Sequence, residues 1–312
     1  MLIFAMYFVF KLYLMDKIKG FIIILDIIRN IGGMHMKIYA FADESGAMID
    51  HQIVAMKRNG LSGLEIRNVD GTNVANITLD KAKEVRKKLD DAGLITWSIG
   101  SPIGKIHIEN DDFAAHLEKF RHVIDVAHVL GSENIRMFSF YIPKDKDSAL
   151  YKNEVIDRIG QFLDIADGSG IDLCHENEKG IYGDIAPRCL ELHQALPALK
   201  GIFDPANYVQ CGQDTWAGWQ LLAPYIKYLH IKDAMPDGSI VPSGHGIGNL
   251  GKIVSSFAQA GGNALSVEPH LAIFEGLSKL EENGDMSKIG NFVYATRDEA
   301  FDTACNALKA LL

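Results

Sequence analysis

Short apolar runs alternate with longer amphipathic segments from Met36 to the end of the chain. Eight of these runs are rich in β-branched and aromatic residues, which predicts eight strands. The clearest helix patterns between them are 78–93, where Thr78 is suited to cap the first turn and Gly93 to end the helix, and 111–131. A further helix, 296–312, is predicted to close the chain. The predicted strands are 37–42, 63–69, 94–100, 134–142, 171–177, 200–207, 226–233 and 264–270.

Strict alternation of strand and helix favours parallel strands joined by right-handed crossovers. Eight such units in about 277 residues have the size of a (β/α)8 barrel, so we predict an α/β protein with a TIM-barrel fold. A doubly wound open sheet is the competing architecture. It usually carries a glycine-rich fingerprint after the first strand, and "FADESGAMID" contains no G-x-G-x-x-G. The polar segment 275–297, between the last predicted strand and the last predicted helix, is the best candidate for an insertion into the barrel.

Residues 1–35 differ from the rest of the chain. Lys11, "DKIKG" and Asp26 interrupt their apolar runs, so no stretch of about 18 uncharged residues exists to span a bilayer, and no secretory signal pattern is present. Gly32 and Gly33 can be encoded by a ribosome-binding sequence a few nucleotides before the Met36 codon. We therefore expect translation to start at Met36, with 1–35 a wrongly assigned extension and 36–312 a single barrel domain. A helix lying on a membrane surface is the alternative for 1–35.

Composition and charge narrow the classes of partner. The 312 residues are 48% hydrophobic and 23% charged, which is ordinary for a globular protein. The net charge of -9 would repel a nucleic-acid backbone, so we expect neither DNA nor RNA as a partner, and no membrane partner. Four cysteines without a C-x-x-C pair indicate neither a disulfide framework nor a thiolate zinc site. Reduced thiols in the cytoplasm fit this pattern best.

Four polar residues close four successive predicted strands: Glu176, Asp204, His230 and Glu268. They are 28, 26 and 38 residues apart, about one strand-helix unit each, so in a barrel they would meet at the C-terminal face, where active sites lie. Three carboxylates and one imidazole suit Mn²⁺, Mg²⁺, Co²⁺ or Zn²⁺. Clustered carboxylates repel one another unless a cation lies between them, which favours a metal site over four unrelated polar strand ends.

Five segments, "CHENEKGIYGD", "FDPANYV", "YLHIKDA", "VPSGHGIGNL" and "SVEPH", together resemble the sugar phosphate isomerase/epimerase family of xylose isomerase-like TIM barrels. That group is related to ketose 3-epimerases, inosose dehydratases and endonuclease IV. The resemblance covers nearly everything from Met36 to Leu312 and is specific for the superfamily, not for the substrate. It implies a divalent metal, Mn²⁺ first, held by Glu176, Asp204, His230 and Glu268. It also implies that Glu176 and Glu268 transfer protons through a metal-stabilised enediolate.

Departures from the family pattern identify further candidates. The epimerases commonly have histidine three residues after the aspartate ligand, where this chain has Asn207, which can bond a sugar hydroxyl but does not titrate near neutral pH. They also tend to place arginine a few residues beyond the histidine ligand. Here the nearest cation is Lys232, whose point charge could bind a hydroxyl, a carboxylate or a phosphate.

Other polar residues near strand ends are weaker candidates for substrate binding. Arg67 and Lys105 follow the second and third strands and could reach an anionic or polyhydroxy substrate. His270 shares a face with Glu268, and His245 lies in a glycine-rich loop flexible enough to cover the site. That loop, "GHGIGN", does not follow a strand and is therefore not a phosphate-binding fingerprint.

The leading hypothesis is a metal-dependent isomerase or epimerase of a sugar, a sugar phosphate or a related polyol ketone. A lyase that dehydrates a keto-inositol or hydroxy acid would use the same metal and base, so it is the main alternative. Endonuclease IV-like hydrolysis needs additional histidines at strand ends that the chain lacks, and a non-catalytic carbohydrate-binding protein is the fourth reading. The substrate is expected to be a small carbohydrate. The sequence does not determine the exact sugar, its phosphorylation, the metal or the oligomeric state. Barrels of this type often form dimers.

Overall fold

Eight parallel strands close into a barrel in the computed structural model, which describes residues 36–274, 288 and 292–312. The strands follow one another around the barrel in chain order, and β1 pairs with both β2 and β8. The predicted TIM barrel is therefore confirmed, and each of the eight predicted segments overlaps one barrel strand, although β3 continues three residues beyond its predicted end. The strands are β1 (Lys37–Ala40), β2 (Gly63–Ile66), β3 (Ile95–Ile103), β4 (Asn134–Met137), β5 (Asp172–Glu176), β6 (Lys200–Phe203), β7 (Ile226–Ile231) and β8 (Ala264–Val267).

Helices cover the outside of the barrel between successive strands. The predicted caps are confirmed: the Thr78 hydroxyl accepts a hydrogen bond from the Lys81 N–H at 3.1 Å, and Gly93 ends the same helix with a φ of +71°. The described helices are α1 (Ile49–Arg58), α2 (Leu79–Ala92), α3 (Phe113–Leu130), α4 (Lys152–Ala166), α5 (Ala186–Ala195), α6 (Pro205–Gln210), α7 (Thr215–Leu222), α8 (Leu250–Gln259) and α9 (Arg297–Lys309).

Seven of the eight strands end earlier than the apolar pattern predicts, and the early ends of β6 and β4 have a local cause. β6 stops at Phe203 because Asp204 caps α6, accepting a hydrogen bond from the Asn207 N–H at 2.9 Å, and Pro205 fits the first helical position. β4 stops at Met137, and Phe140 then adopts a left-handed φ of +64° that turns the chain away. The first of these ends places the Asp204 carboxylate at the junction of a strand and a helix.

Aromatic and small side chains fill the lower part of the barrel. Tyr39, Cys174, Ile202, Tyr228 and Ala264 form one buried cluster, with exposed fractions of at most 2%. Such layers of side chains from alternate strands make a TIM barrel a packed core and not a pore. The packed layers leave the C-terminal ends of the strands as the place for polar side chains.

Two predictions fall partly or wholly outside the described residues. The extension 1–35 is outside them, and so is most of the proposed insertion 275–297. The compact unit that contains the barrel runs from Lys37 to Leu312. Among the residues that the structure describes, no helix combines the length and the apolar character needed to cross a membrane.

Candidate metal centre

The C-terminal ends of β5 to β8 bring the four predicted ligands together. Glu176, Asp204, His230 and Glu268 each offer one ligand atom, and these four atoms lie within 4.8 Å of one another. The His230 Nδ1 atom is 2.9 Å from Glu176 Oε1, 3.7 Å from Glu268 Oε2 and 3.9 Å from Asp204 Oδ2. All four side chains are buried. Residues up to 92 positions apart in the chain thus form one compact group of oxygen and nitrogen donors.

Glu65 orients the imidazole of His230. Its Oε2 atom lies 3.0 Å from His230 Nε2, and its Oε1 atom accepts a hydrogen bond from the Tyr228 hydroxyl at 2.7 Å. Because a carboxylate can only accept there, Nε2 carries a proton, so Nδ1, which faces the other three ligands, is the nitrogen that would bind a cation after losing its own proton. Burial lowers the pKa of His230, but Glu176 and Glu65 outweigh burial and raise this pKa well above its ordinary value.

Arg136 holds one side of the Glu176 carboxylate. Its Nη1 atom donates to Glu176 Oε2 at 3.1 Å, and its Nη2 atom donates to the Gly100 carbonyl at 3.2 Å. On the other side, Asn207 Nδ2 lies 3.3 Å from Glu176 Oε1 and donates to the Asn177 carbonyl at 2.9 Å. Burial raises the pKa of Glu176, but His230 and Arg136 bring this pKa below its ordinary value, so the carboxylate is ionised at neutral pH.

Arg67 holds the Glu268 carboxylate from the end of β2, which is separated from β8 only by β1. Its Nη1 atom donates to Glu268 Oε1 at 3.1 Å, while its other nitrogens bond Asp43 at 2.9 and 3.0 Å and Glu44 at 3.0 Å. The guanidinium is fully buried. Burial raises the pKa of Glu268, but Lys232 leads the cations that bring this pKa well below its ordinary value. Glu268 is therefore also ionised.

Lys232 lies between two of the candidate ligands. Its ammonium nitrogen is 2.9 Å from Asp204 Oδ2 and 2.8 Å from Glu268 Oε2. Within the described residues, Asp204 Oδ2 is buried and receives no hydrogen bond of good geometry, although Lys232 is near. Burial raises the pKa of Asp204 to about 7; Lys232 opposes this rise, and the charges of Glu268 and Glu176 reinforce it. The protein alone therefore holds this third carboxylate near its point of protonation.

These residues fit a divalent cation. Three carboxylate oxygens and one correctly oriented imidazole nitrogen match the donors that Mn²⁺, Mg²⁺, Co²⁺ and Zn²⁺ take in proteins. A cation between the carboxylates would offset their mutual repulsion and supply a partner for Asp204 Oδ2. A second group, Glu44, Glu268 and His270, lies beside the first, but there the Arg67 guanidinium already bonds both carboxylates.

The remaining predicted site residues divide into two groups. Lys105 and His270 lie beside the centre: Lys105 pairs with Glu178 at 3.0 Å, and His270 Nε2 is 3.5 Å from Glu44 Oε1. His245 lies in an exposed loop, where its ring packs against Phe292, and the described contacts do not connect it to the four ligands. The predicted role of His245 in substrate binding stays a prediction, as do the roles of the other residues.

Two of the residues that orient the ligands, Glu65 and Arg136, were not predicted from the sequence. Both are charged residues inside mostly apolar strands, "GLEI" and "NIRM". A charge buried within a barrel strand needs a partner, so these two positions carried a usable signal. Asp43 and Glu44, directly after β1 in "FADES", carried a weaker one, because acidic residues after a strand are ordinary in exposed loops.

Comparisons with known proteins agree with this architecture. A family described as "Xylose isomerase-like TIM barrel" matches residues 53–284. No curated protein sequence matches the chain.

Similar solved structures include the probable 3-DHS dehydratase AsbF of Bacillus anthracis, with 19% identity, a TM-score of 0.67, and coverage of 88% of this chain and 99% of that one. The IOLI protein with a bound zinc atom has 16% identity, a TM-score of 0.66, and coverage of 88% and 98%. D-psicose 3-epimerase of Clostridium cellulolyticum H10 has 14% identity, a TM-score of 0.65, and coverage of 88% and 98%. At these identities the likeness to the three structures is one of fold.

Proposed function

Because the chain belongs to the xylose isomerase-like TIM-barrel family, we propose that it is a divalent-metal-dependent isomerase or epimerase. Its substrate would be a sugar, a sugar phosphate or a related polyol ketone. The observation that carries this proposal is the pair of buried glutamates, Glu176 and Glu268, in one group with Asp204 and His230. D-psicose 3-epimerase, which shares the fold, supports the reaction class.

Glu176 and Glu268 would move the proton. Each carboxylate has one oxygen bonded to an arginine, Oε2 of Glu176 to Arg136 and Oε1 of Glu268 to Arg67, which fixes its orientation. One glutamate would remove the proton from the carbon next to the carbonyl and later release it to solvent. The other glutamate would return to the substrate a proton that it takes up from solvent. Return to the opposite face of the same carbon inverts it, and return to the adjacent carbon moves the carbonyl. When bound, a divalent cation would polarise that carbonyl and lower the barrier by several kcal/mol.

Neighbouring side chains would bind and orient the substrate. The Lys232 ammonium can donate to a substrate oxygen, and the Asn207 amide lies at the edge of the same group. Both are buried, so water would compete little with a bound hydroxyl. The proposed binding partner is a small carbohydrate. The proposed location is the cytoplasm, because four cysteines without a disulfide are typical of a reducing compartment.

A substrate panel tests the reaction class. Purified protein supplied with Mn²⁺ would be incubated with ketoses, ketose phosphates and keto-inositols, and NMR would identify the products. We expect a stereoisomer or positional isomer of at least one compound. The Glu176→Gln variant should form this product about 10²- to 10⁴-fold more slowly, because an amide cannot accept the proton. If the wild-type protein converts no compound, the proposal fails.

A lyase on the same site is the second candidate. It is favoured by the probable 3-DHS dehydratase AsbF, which shares the fold over 88% of this chain. Removal of the same proton followed by loss of a neighbouring hydroxyl as water would give an unsaturated carbonyl. Such a product absorbs in the near ultraviolet and an isomer does not, so the absorbance of the product mixture decides between the two.

A further inference from the structure

Within the residues that the structure describes, four cationic side chains lie at the candidate metal centre, and each is already paired with a carboxylate of the chain. The ionic distances at each are 3.1 Å or shorter. A charged substrate group that needed one of these cations would have to compete with the protein's own carboxylate. The pairs are Arg67 with Asp43, Glu44 and Glu268; Arg136 with Glu176; Lys232 with Asp204 and Glu268; and Lys105 with Glu178.

Burial makes most of these pairs costly to break. The side chains of Arg67, Arg136 and Lys232 are 0%, 5% and 5% exposed. Separating one of them from its partner would leave a carboxylate unpaired in the interior, which is strongly destabilising. Lys105, at 11%, is the most accessible of the four, and its partner Glu178 is 23% exposed. Of these four cations in the described residues, Lys105 is therefore the one that an anionic substrate could recruit most readily, and only in competition with Glu178.

Carboxylates also outnumber cations here. Seven described carboxylates stand against the four cations. A bound divalent cation would add two positive charges while His230, as its ligand, stays neutral, so six positive charges would still not exceed the seven carboxylates. The electrostatic potential at the site therefore does not favour the binding of a dianionic substrate group such as a phosphate. The seven are Asp43, Glu44, Glu65, Glu176, Glu178, Asp204 and Glu268.

The backbone N–H groups of the loop after β7 also already donate hydrogen bonds to a carboxylate of the chain. TIM barrels frequently bind phosphate at the loops after strands seven and eight. Here the Asp233 carboxylate, 1% exposed, accepts hydrogen bonds from the N–H groups of Gly244, Gly246 and Gly248 at 2.9, 3.0 and 2.9 Å, and from Ala234 at 2.9 Å. A Cβ atom at Gly246 or Gly248 would lie 2.4 or 2.6 Å from Asp233 Oδ1, so the loop is built around this carboxylate. The position that a phosphate would take on this loop is filled by the chain itself.

From these contacts we propose that the substrate is an uncharged polyhydroxy carbonyl compound, such as a neutral sugar or a keto-polyol, and neither a sugar phosphate nor a sugar acid. This inference rests on the proposed function and narrows its substrate class. A neutral substrate requires no ion pair to open, because hydroxyl groups can donate to the carboxylates and accept from Lys232 and Asn207.

Matched substrate pairs test the inference. The protein with Mn²⁺ in D₂O would be given D-fructose and D-fructose 6-phosphate, D-tagatose and D-tagatose 6-phosphate, and D-ribulose and D-ribulose 5-phosphate. NMR would follow deuterium incorporation next to the carbonyl. We expect the neutral member of at least one pair to exchange at least tenfold faster than its phosphate. Faster exchange of the phosphates overturns this inference and leaves the proposed function intact. If no compound exchanges, the proposed function fails and the inference falls with it.

Substitution of Glu178 in the Lys105–Glu178 pair gives a second test, which measures phosphate binding and needs no known substrate. Glu178→Gln frees Lys105 of its partner, so inorganic phosphate should bind this variant roughly fivefold more tightly than the wild type, measured by calorimetry. Glu118→Gln, which alters an exposed pair with Arg121 on α3, is the matched control and should leave phosphate binding unchanged. Wild-type protein that binds phosphate as tightly as Glu178→Gln would contradict the inference.

Discussion

The Nε2 atom of His230 lies 3.0 Å from Glu65 Oε2, at a point where both side chains are completely buried. The contact joins residues 165 positions apart and leaves Nδ1 of the imidazole facing Glu176, Asp204 and Glu268. Burial raises the pKa of Glu65, but His230 outweighs burial and keeps this pKa below its ordinary value. A charged carboxylate thus fixes which nitrogen is free to bind a cation.

Glu65→Gln should weaken divalent-metal binding by about 10- to 100-fold, because an uncharged amide no longer fixes the His230 tautomer. Calorimetric titration with Mn²⁺ measures the effect. Glu118→Gln, on the surface of α3, serves as the control and should bind Mn²⁺ like the wild type. A folded Glu65→Gln protein with wild-type affinity would show that Glu65 does not position the histidine.

Asp204→Asn should separate the capping role of Asp204 from its role as a ligand. Asparagine caps helices as well as aspartate does, so α6 should persist, while loss of the charge should lower Mn²⁺ affinity at least 100-fold. Asp214→Asn is the matched control, because Asp214 caps α7 in the same way and lies outside the metal centre. A melting temperature of the metal-free Asp204→Asn protein that falls well below wild type would instead assign Asp204 a purely structural role.

Lys232→Met should raise Mn²⁺ affinity by about tenfold, because the ammonium lies within 2.9 Å of two candidate ligands and competes for their charge. The same variant should lose turnover, since it lacks the donor proposed for the substrate. Titration and assay together check both parts. Weaker Mn²⁺ binding in the variant would mean that Lys232 assists the ligands and does not compete with them.

His116 should make stability depend on pH. Burial lowers its pKa to about 4, and its Nε2 atom accepts a hydrogen bond from the Gly104 N–H at 2.8 Å. The unfolded chain protonates this histidine near pH 6.5 and the folded chain only near pH 4, so about 2–4 kcal/mol of stability is present above pH 6.5 and is lost as the pH falls to 4.

Chemical denaturation of His116→Gln at pH 7 and pH 5 checks this expectation. The fall in unfolding free energy between the two pH values should be smaller in the variant than in the wild type. The exposed His245→Gln variant should behave like the wild type. An equal fall in His116→Gln would contradict the assignment.

The barrel and the convergence of the four candidate ligands could be predicted because each depends on local sequence. Near-continuous apolar runs identify strands that are buried on both faces, and a polar residue closing such a run points to the C-terminal face of the barrel. The spacing of Glu176, Asp204, His230 and Glu268 then follows from the strand-helix period.

The network around the ligands could not be predicted in the same way. Tyr228 bonds Glu65 across 163 positions of the chain, and Arg67 bonds Glu268 across 201. Such pairs depend on the register between distant strands, which one sequence does not encode locally. The hydrogen bonds from the "GHGIGN" loop to Asp233 could not be predicted either, since only the fold shows where the N–H groups of this loop point.

The rate of solvent deuterium incorporation into a ketose tests the central claim most directly. With Mn²⁺ supplied, wild-type protein should place deuterium on the carbon next to the carbonyl of a substrate. Glu176→Gln and Glu268→Gln should each slow this incorporation by about 10²- to 10⁴-fold. Incorporation at the wild-type rate in both folded variants would contradict the assignment of these two glutamates as the residues that carry the proton.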